Sequence, residues 1–340
     1  MLDHIANSPA ANKRPGHDYR QMATLLATIL FGQDIVPFEV LFADRKFPSD
    51  ILPYAADYLR DAGCEIITTA VGMKMIRVGF EFMPVVVRAA LAQAGMDINI
   101  QAFATTSSTN DECFSAAAKA VDKPLAIIAN MQTNGRGRRG NRWEAHAGHC
   151  ALLSLLLPAR ELSVETLSLA AGWAVAESVA TLTGGNPELK WPNDVLVDGC
   201  KLAGILIETR PNVQHPLLTD YVIGVGVNVM QTDQDFPGSL KSRAISLNMI
   251  RHKQWDLTEV VVVLLKNLGI WCNPLRAGEE LVPLWLSRCR MLENPVRVSC
   301  AGRIIEGTVA DIDPLEGLII RDYHGMNHAC LASQTTVLRE

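Results

Sequence analysis

The sequence has no Cys-x-x-Cys pair, no apolar run of membrane-spanning length, no leader-like start, no internal repeat and no low-complexity tract. Each absence excludes something. The eight cysteines (Cys64, Cys113, Cys150, Cys200, Cys272, Cys289, Cys300 and Cys330) are scattered, which fits free thiols in a reducing cytoplasm better than disulfides or zinc. The most apolar stretches, such as Val260-Val-Val-Val-Leu-Leu265, fall far short of the roughly 18–20 residues of a membrane span, so no membrane partner is expected. No charged–apolar–small pattern opens the chain, and a cytoplasmic location follows as the expectation. Positive charge is not in excess either: the net charge is −5, which argues against non-specific nucleic-acid binding by the whole molecule but not against a local basic patch. What is present is ample apolar content, 49% of 340 residues, enough for two or three packed domains.

Against that balanced background one segment stands out. Residues 135–140 read Gly135-Arg-Gly-Arg-Arg-Gly140, followed by Arg142 and Trp143, with no acid among them. Glycine lets backbone N–H groups approach an anion, and arginine offers forked donors that fit phosphate or carboxylate oxygens. The segment therefore points to a nucleotide or another phosphate-bearing ligand. Its spacing also spells G-x-G-x-x-G, the dinucleotide fingerprint, but that fingerprint must open an amphipathic helix. Here a turn and an apolar strand-like run, residues 151–157, follow instead. The match to a nicotinamide-dependent oxidoreductase is accidental unless a helix begins after Gly140. A solvated basic loop that binds nothing is the bland alternative, and the interspersed glycines count against it.

The periodicities divide the chain into three parts. After a polar tail at 1–18, expected to be disordered, helices are predicted over 19–31, 37–44 and 48–62, with Gly63 as a C-cap. Two strand-like runs follow at 65–69 and 73–78, which gives the outline of a winged helix; any small α+β cap fits nearly as well. A helix at 84–95 leads into alternating elements: strands at 98–105, 125–131 and 151–157, helices at 109–120 and 164–182, and a hairpin over 188–208 turning on Asp198-Gly199. A strand at 221–230 and helices at 257–271 and 283–290 complete this part. From Pro295 short strands suggest a small β-barrel.

Four clusters in the middle part carry chemistry. Ser107-Ser-Thr-Asn110 sits where a strand meets a helix, a position that also suits an N-cap. Gln132 precedes the arginine loop and can both donate and accept. Lys190-Trp-Pro-Asn-Asp194 and Lys201-Leu-Ala-Gly-Ile-Leu-Ile-Glu208 flank the tight turn. A lysine is usually a snorkelling surface residue, and an aspartate here equally suits a turn. Trp143 and Trp191 read first as packing. Gly224 and Gly226 fit a glycine-bearing core strand.

Taken together and in this order, Ser108-Thr-Asn110, Gln132, the arginine loop with Trp143, Lys190–Asp194, Lys201-Leu-Ala-Gly-Ile-Leu and Gly224-Val-Gly-Val-Asn228 resemble the biotin protein ligases over roughly residues 98–340. The resemblance implies an α/β (α+β) fold: a catalytic domain of class II synthetase type with a central mixed sheet at 97–293, an SH3-like domain at 294–340, and a winged-helix-like domain at 19–96. It implies a reaction in which ATP and Mg²⁺ convert biotin to biotinyl-5′-AMP, and biotin then passes to a lysine of a biotin carboxyl carrier protein. It assigns Lys201, Arg138 and Arg136 to catalysis. Biotin contacts fall to Ser108, Thr109, Asn110, Gln132, Arg136, Gly137, Arg138 and Lys201. Nucleotide contacts fall to Gly135, Arg139, Gly140, Trp143, Asn193 and Asn228, and Mg²⁺ to Asp194. The glycines of the Gly224–Asn228 strand suggest a close approach of the adenylate to backbone. The family's usual Gly-x-Asn-Leu-Tyr is here Gly148-His-Cys-Ala-Leu152, which keeps only the glycine. No covalent nucleophile is required of this chain.

Two other functions compete: a lipoate or octanoate ligase of the same superfamily, and a biotin-operon repressor with ligase activity. Charge speaks against the second. Residues 1–96 hold nine Lys/Arg against ten Asp/Glu, and the candidate recognition helix offers only Arg60. DNA affinity rests on phosphate neutralisation, so DNA is an unlikely partner, although Arg45 and Lys46 just before that helix are placed to touch phosphate. A homodimer stays open. The arginine loop is expected to be mobile when empty, because nothing nearby in the sequence neutralises it.

Overall fold

The computed structural model describes residues 19–43, 50–81, 83–238, 240–273, 280–313 and 316–339. The expected disordered tail at 1–18, and Arg45 and Lys46, lie outside them. The front unit runs α1 (Tyr19–Leu30), β1 (Val36–Pro37), α2 (Phe38–Phe42), α3 (Leu52–Asp61), β2 (Glu65–Thr68) and β3 (Gly72–Arg77). Its three strands pair antiparallel in the order β1-β3-β2. The two-residue β1 was not legible, being too short for any alternation. Helix α3 ends as expected: Gly63 takes φ +83° and its N–H donates to Arg60 O at 2.9 Å. Leu26, Leu30, Leu41, Ala55, Leu59 and Met73 make the buried core of this unit.

Helix α4 (Met83–Gln93) joins it to the central body. There β4 (Asn99–Phe103), α5 (Thr109–Ala117), β5 (Leu125–Ala129), β6 (Cys150–Arg160) and α6 (Val164–Thr183) precede β7 (Glu188–Lys190) and β8 (Asp194–Val197). Strands β9 (Cys200–Pro211) and β10 (Thr219–Asn228) and helices α7 (Leu247–Arg251), α8 (Leu257–Trp271) and α9 (Leu281–Ser287) complete it. The seven strands form one mixed sheet, order β4-β5-β6-β10-β9-β8-β7, in which only β4 and β5 run parallel. No helix opens after Gly140, and this removes the dinucleotide reading.

Strand alternation fixes what each sheet face does. Leu153, Leu155, Ile205, Ile223 and Val225 belong to the large core shared with α6 and α8. The other face starts apolar, with Leu156 and Val222 against Phe114 of α5. It then steps through paired Ser154 and Gly224 to paired Leu152, Gly226 and Gly204. This small-residue floor leaves room for a cavity. The expected hairpin turns on Asp198 and Gly199, both with positive φ, +51° and +73°, as an Asp-Gly turn of the strand-matching hand requires.

The last part is a five-stranded antiparallel sheet: β11 (Pro295–Cys300), β12 (Arg303–Asp313), β13 (Gly317–Asp322), β14 (Asn327–Cys330) and β15 (Thr335–Arg339), in the order β14-β13-β12-β11-β15. Its inner residues Val298, Val309, Ile312, Leu318 and Ile320 are continuous with the central core. Among the described residues, no helix is long and apolar enough to cross a membrane.

Candidate active site

The four sequence clusters converge on one cavity of about 400 Å³ above the small-residue floor. Its wall holds Ser108, Thr109 and Asn110 from the start of α5, Gln132, the loop residues Arg136–Arg139 and Trp143, Asn193 and Asp194 from the β7–β8 turn, and Lys201 from β9. Gly135, Gly140 and Asn228 are not on the wall. Gly135 backs the loop, where an added Cβ would meet Trp143 O at 2.9 Å; Gly140 makes the turn at φ +76°. Asn228 is buried behind the wall and donates from Nδ2 to Ile245 O at 3.0 Å and Lys201 O at 3.4 Å, so it fixes the backbone that carries Lys201.

The glycines of β9 and β10 have a definite use. A Cβ on Gly224 would lie 2.4 Å from Asn110 Oδ1, and one on Gly226 would lie 2.6 Å from the Trp143 ring. They admit the side chains that shape the cavity, and they line it themselves.

A buried hydrogen-bond network sets the wall at the start of α5. Ser108 does not cap α5 with its own side chain. Gln132 does so instead: its Oε1 accepts from Thr109 N at 2.7 Å and from Thr109 Oγ1 at 3.1 Å. Ser154 Oγ, in the floor, lies 2.6 Å from both Thr109 Oγ1 and Asn110 Oδ1 and has one proton to share between them. Asn110 Nδ2 donates to Glu208 Oε2 at 2.6 Å. The sequence reading missed Ser154, and it named Glu208 as the end of a cluster without giving it a role. Ser154 had a signal, as a lone polar residue in a run of leucines.

One arginine of the loop, Arg136, is neutralised by acids, contrary to the expectation. Arg136 makes a bidentate pair with Asp111, both bonds 2.7 Å, and reaches Glu208 Oε2 at 3.2 Å. The Arg136 guanidinium holds the Asp111 carboxyl below the usual range. Asp111 was passed over because it follows the cluster it serves, and 25 residues separate it from its partner. Arg138 donates to Ala332 O of the C-terminal part, whose residues Thr335–Val337 also line the cavity. Burial, then the neighbouring Arg139 charge, pull the Arg138 pKa down, while Asp194 opposes them. An arginine so placed gains from an incoming anion. Lys201 Nζ pairs with Asp194 Oδ1 at 2.6 Å and sits 5.7 Å from the centroid of Trp143. Asn193 locks the turn to β9 through two bonds with Ile205, 2.9 and 3.0 Å. Trp191, followed by a cis peptide bond to Pro192, is buried.

Burial pushes Cys150 up to about 12 and raises Cys113 as well. Among the described residues no group of three or more His, Cys, Asp or Glu could hold a metal ion.

A profile of the Biotin/lipoate A/B protein ligase family matches residues 102–228, the stretch that builds most of this wall. The biotin--[acetyl-CoA-carboxylase] ligase of Mycobacterium tuberculosis is 36% identical over 248 residues, which covers 69% of this chain and 88% of that protein. The bifunctional ligase/repressor BirA of Bacillus spizizenii is 33% identical over 157 residues, 46% of this chain and 48% of that protein. The solved biotin protein ligase of Aquifex aeolicus in complex with biotin and ATP is 26% identical, with a TM-score of 0.61, and is similar over 71% of this chain and 99% of its own. The sequence motifs, the fold and these likenesses agree: the chain belongs to the biotin protein ligase family.

Proposed function

We propose that this chain is an ATP-dependent biotin protein ligase that activates biotin as biotinyl-5′-AMP and passes it to a lysine of a biotin carboxyl carrier protein. The observation that carries the reading is the single cavity in which Ser108–Asn110, Gln132, the arginine loop and Lys201 meet. Biotin's carboxylate is unreactive toward an amine. In the first step a carboxylate oxygen attacks the α-phosphorus of ATP, the α–β P–O bond breaks and pyrophosphate leaves. Negative charge grows on the α-phosphate and the leaving group, and fixed cations stabilise it. Lys201 and Arg138, both on the cavity wall, supply these cations in this reading, with Arg136 holding the loop against α5. In the second step the acceptor amine attacks the acyl carbon, the C–O bond to phosphate breaks, AMP leaves and the amine loses its proton. Positioning does most of this work.

The residues fit Mg²⁺ only in part. It is held in such sites by one or two carboxylates plus substrate phosphates, and Asp194 is the only carboxylate among the described residues on the wall. Asp194 would hold an ion that arrives with ATP, which neutralises phosphate charge. The domains behind this reading are 19–96, 97–293 and 294–340.

The repressor function in the Bacillus protein's name is not proposed here. Arg60, the single base of α3, is engaged by Asp57 at 2.8 Å and Thr68 Oγ1 at 3.0 Å. The test of the ligase reading is incubation with ATP, a biotin carrier domain and each of biotin, lipoate and octanoate, followed by mass spectrometry. Biotin alone should label the carrier; labelling by lipoate or octanoate but not biotin overturns it.

A further inference from the structure

Among the described residues, the cavity wall carries many cations and one acid, Asp194. Most of those cations are satisfied by the protein. Arg136 is held by Asp111 and Glu208, Lys201 by Asp194, and Arg138 by the Ala332 carbonyl. Arg142 donates to Thr133 O at 3.1 Å and lies 3.7 Å from Glu144. Lys190 is engaged as well. Two guanidinium groups on the wall make no hydrogen bond or ion pair with any described residue: Arg139, and Arg243 from the segment before α7.

Arg243 appears in no motif, yet its backbone is built into the site. Lys201 N donates to Arg243 O at 2.8 Å, and Ile245 N donates to Lys201 O at 3.0 Å. The 243–245 segment thus runs alongside Lys201 as an extra bridge of parallel sense. Asn228 Nδ2, bonded to both Lys201 O and Ile245 O, ties the two together from behind. The position of Arg243 relative to Lys201 is therefore fixed by backbone bonds, while its charge is left for something else. Arg139 comes from the arginine loop, at φ +58° in its 3-10 turn, and lines the same cavity. Two unmatched guanidinium groups, brought to one cavity by separate segments of the chain, suit a polyanion that is present in one step and gone in the next.

We propose that Arg243, together with Arg139, holds the β- and γ-phosphates of ATP and the pyrophosphate formed from them. Arg138 and Lys201 lie on the reacting side, at the carboxyl–phosphate junction. Arg243 is a binding residue for the leaving group and takes no part in acyl transfer to the acceptor. This rests on the ligase reading above.

The test is biotin-dependent ATP–pyrophosphate exchange by the full chain, beside a separate assay of transfer from pre-made biotinyl-5′-AMP to the carrier domain. Losing one charge-assisted pair should raise the KM for ATP and the inhibition constant of pyrophosphate in Arg243→Ala by about tenfold each. The KM for biotin and the transfer from pre-made adenylate should stay within about twofold of wild type, and Arg243→Lys should recover part of the loss. Arg243 is exposed, so both variants should fold, with unchanged thermal melting as the check. Wild-type constants for ATP and pyrophosphate in Arg243→Ala overturn the proposal. So does a matching loss in transfer from pre-made adenylate, which would place Arg243 at the acceptor surface. Absence of exchange in the wild-type chain would instead sink the ligase reading, and this inference with it.

Discussion

The front unit and the catalytic cavity handle positive charge in opposite ways. In the front unit, Arg60, Lys74 and Arg77 pair with Asp57, Asp34 and Glu65 at 2.8, 3.0 and 2.7 Å, on a surface open to water. Such pairs contribute little stability, but each leaves an acid beside its cation that would repel a phosphate. In the cavity, Arg136 and Lys201 are paired too, but among the described residues Arg139 and Arg243 have no acid partner, and Arg138 has a carbonyl. The lesson is that net charge says little about anion binding. What matters is where acids run out.

The comparison can be broken at three points. The largest effect should come from Lys201→Ala. Removing a cation aimed at developing charge should slow adenylate formation by about 10²-fold or more, while thermal melting moves by only a few degrees, as for other part-exposed substitutions. A rate near wild type in single-turnover experiments would remove Lys201 from its role.

A smaller effect is expected from Asp111→Asn. It takes away the bidentate partner of Arg136 and should raise the KM for biotin several-fold, with kcat less affected, if a charge-assisted pair of about 1–2 kcal/mol fixes the loop. Asp111→Glu should restore part of the loss. The pH sign follows from the lowered pKa. The pairing is complete above the ordinary carboxylate range and is lost as pH falls through the lower folded value, so loop closure should weaken only in acid, below about pH 4. Biotin binding that weakens instead between pH 6 and 8 would contradict this assignment.

The smallest effect should be that of Arg60→Gln. Ligase kinetics should not change, and neither wild type nor variant should shift biotin-operon promoter DNA in the presence of biotin and ATP. Tight, salt-sensitive and sequence-specific binding by the wild type would erase the contrast between the two regions.

Much of this was legible in the sequence because it is written in short range. The Asp198-Gly199 turn, Gly63 after α3 and the 15-residue helix Leu257–Trp271 came out where residue type and periodicity put them. The cavity's composition was legible because four motifs each sit beside a turn. The rest was not, for two physical reasons. Elements such as β1, α7 and β14 span 2, 5 and 4 residues, too few to show a period. The acids that neutralise the loop, Asp111 and Glu208, lie 25 and 72 residues from Arg136; only the folded sheet brings them together. Gly224 and Gly226 were visible as small residues in a strand. That they make room for Asn110 and Trp143 depends on which face the register gives them.

Asp256 belongs to both halves of the molecule. Its Oδ1 caps α8 by accepting from Thr258 N at 2.8 Å, and its Oδ2 accepts from Val78 N, just past the front unit's last strand, at 3.1 Å. Phe31 packs against both cores, and Met83, Val87 and Leu91 of α4 are buried in the central one. The front unit is thus a buttress rather than a detachable module. A chain cut near residue 96 would bare an apolar seam along α8 and leave one side of its capping carboxylate unsatisfied. Whatever else the front unit contacts, the central body has a structural use for it.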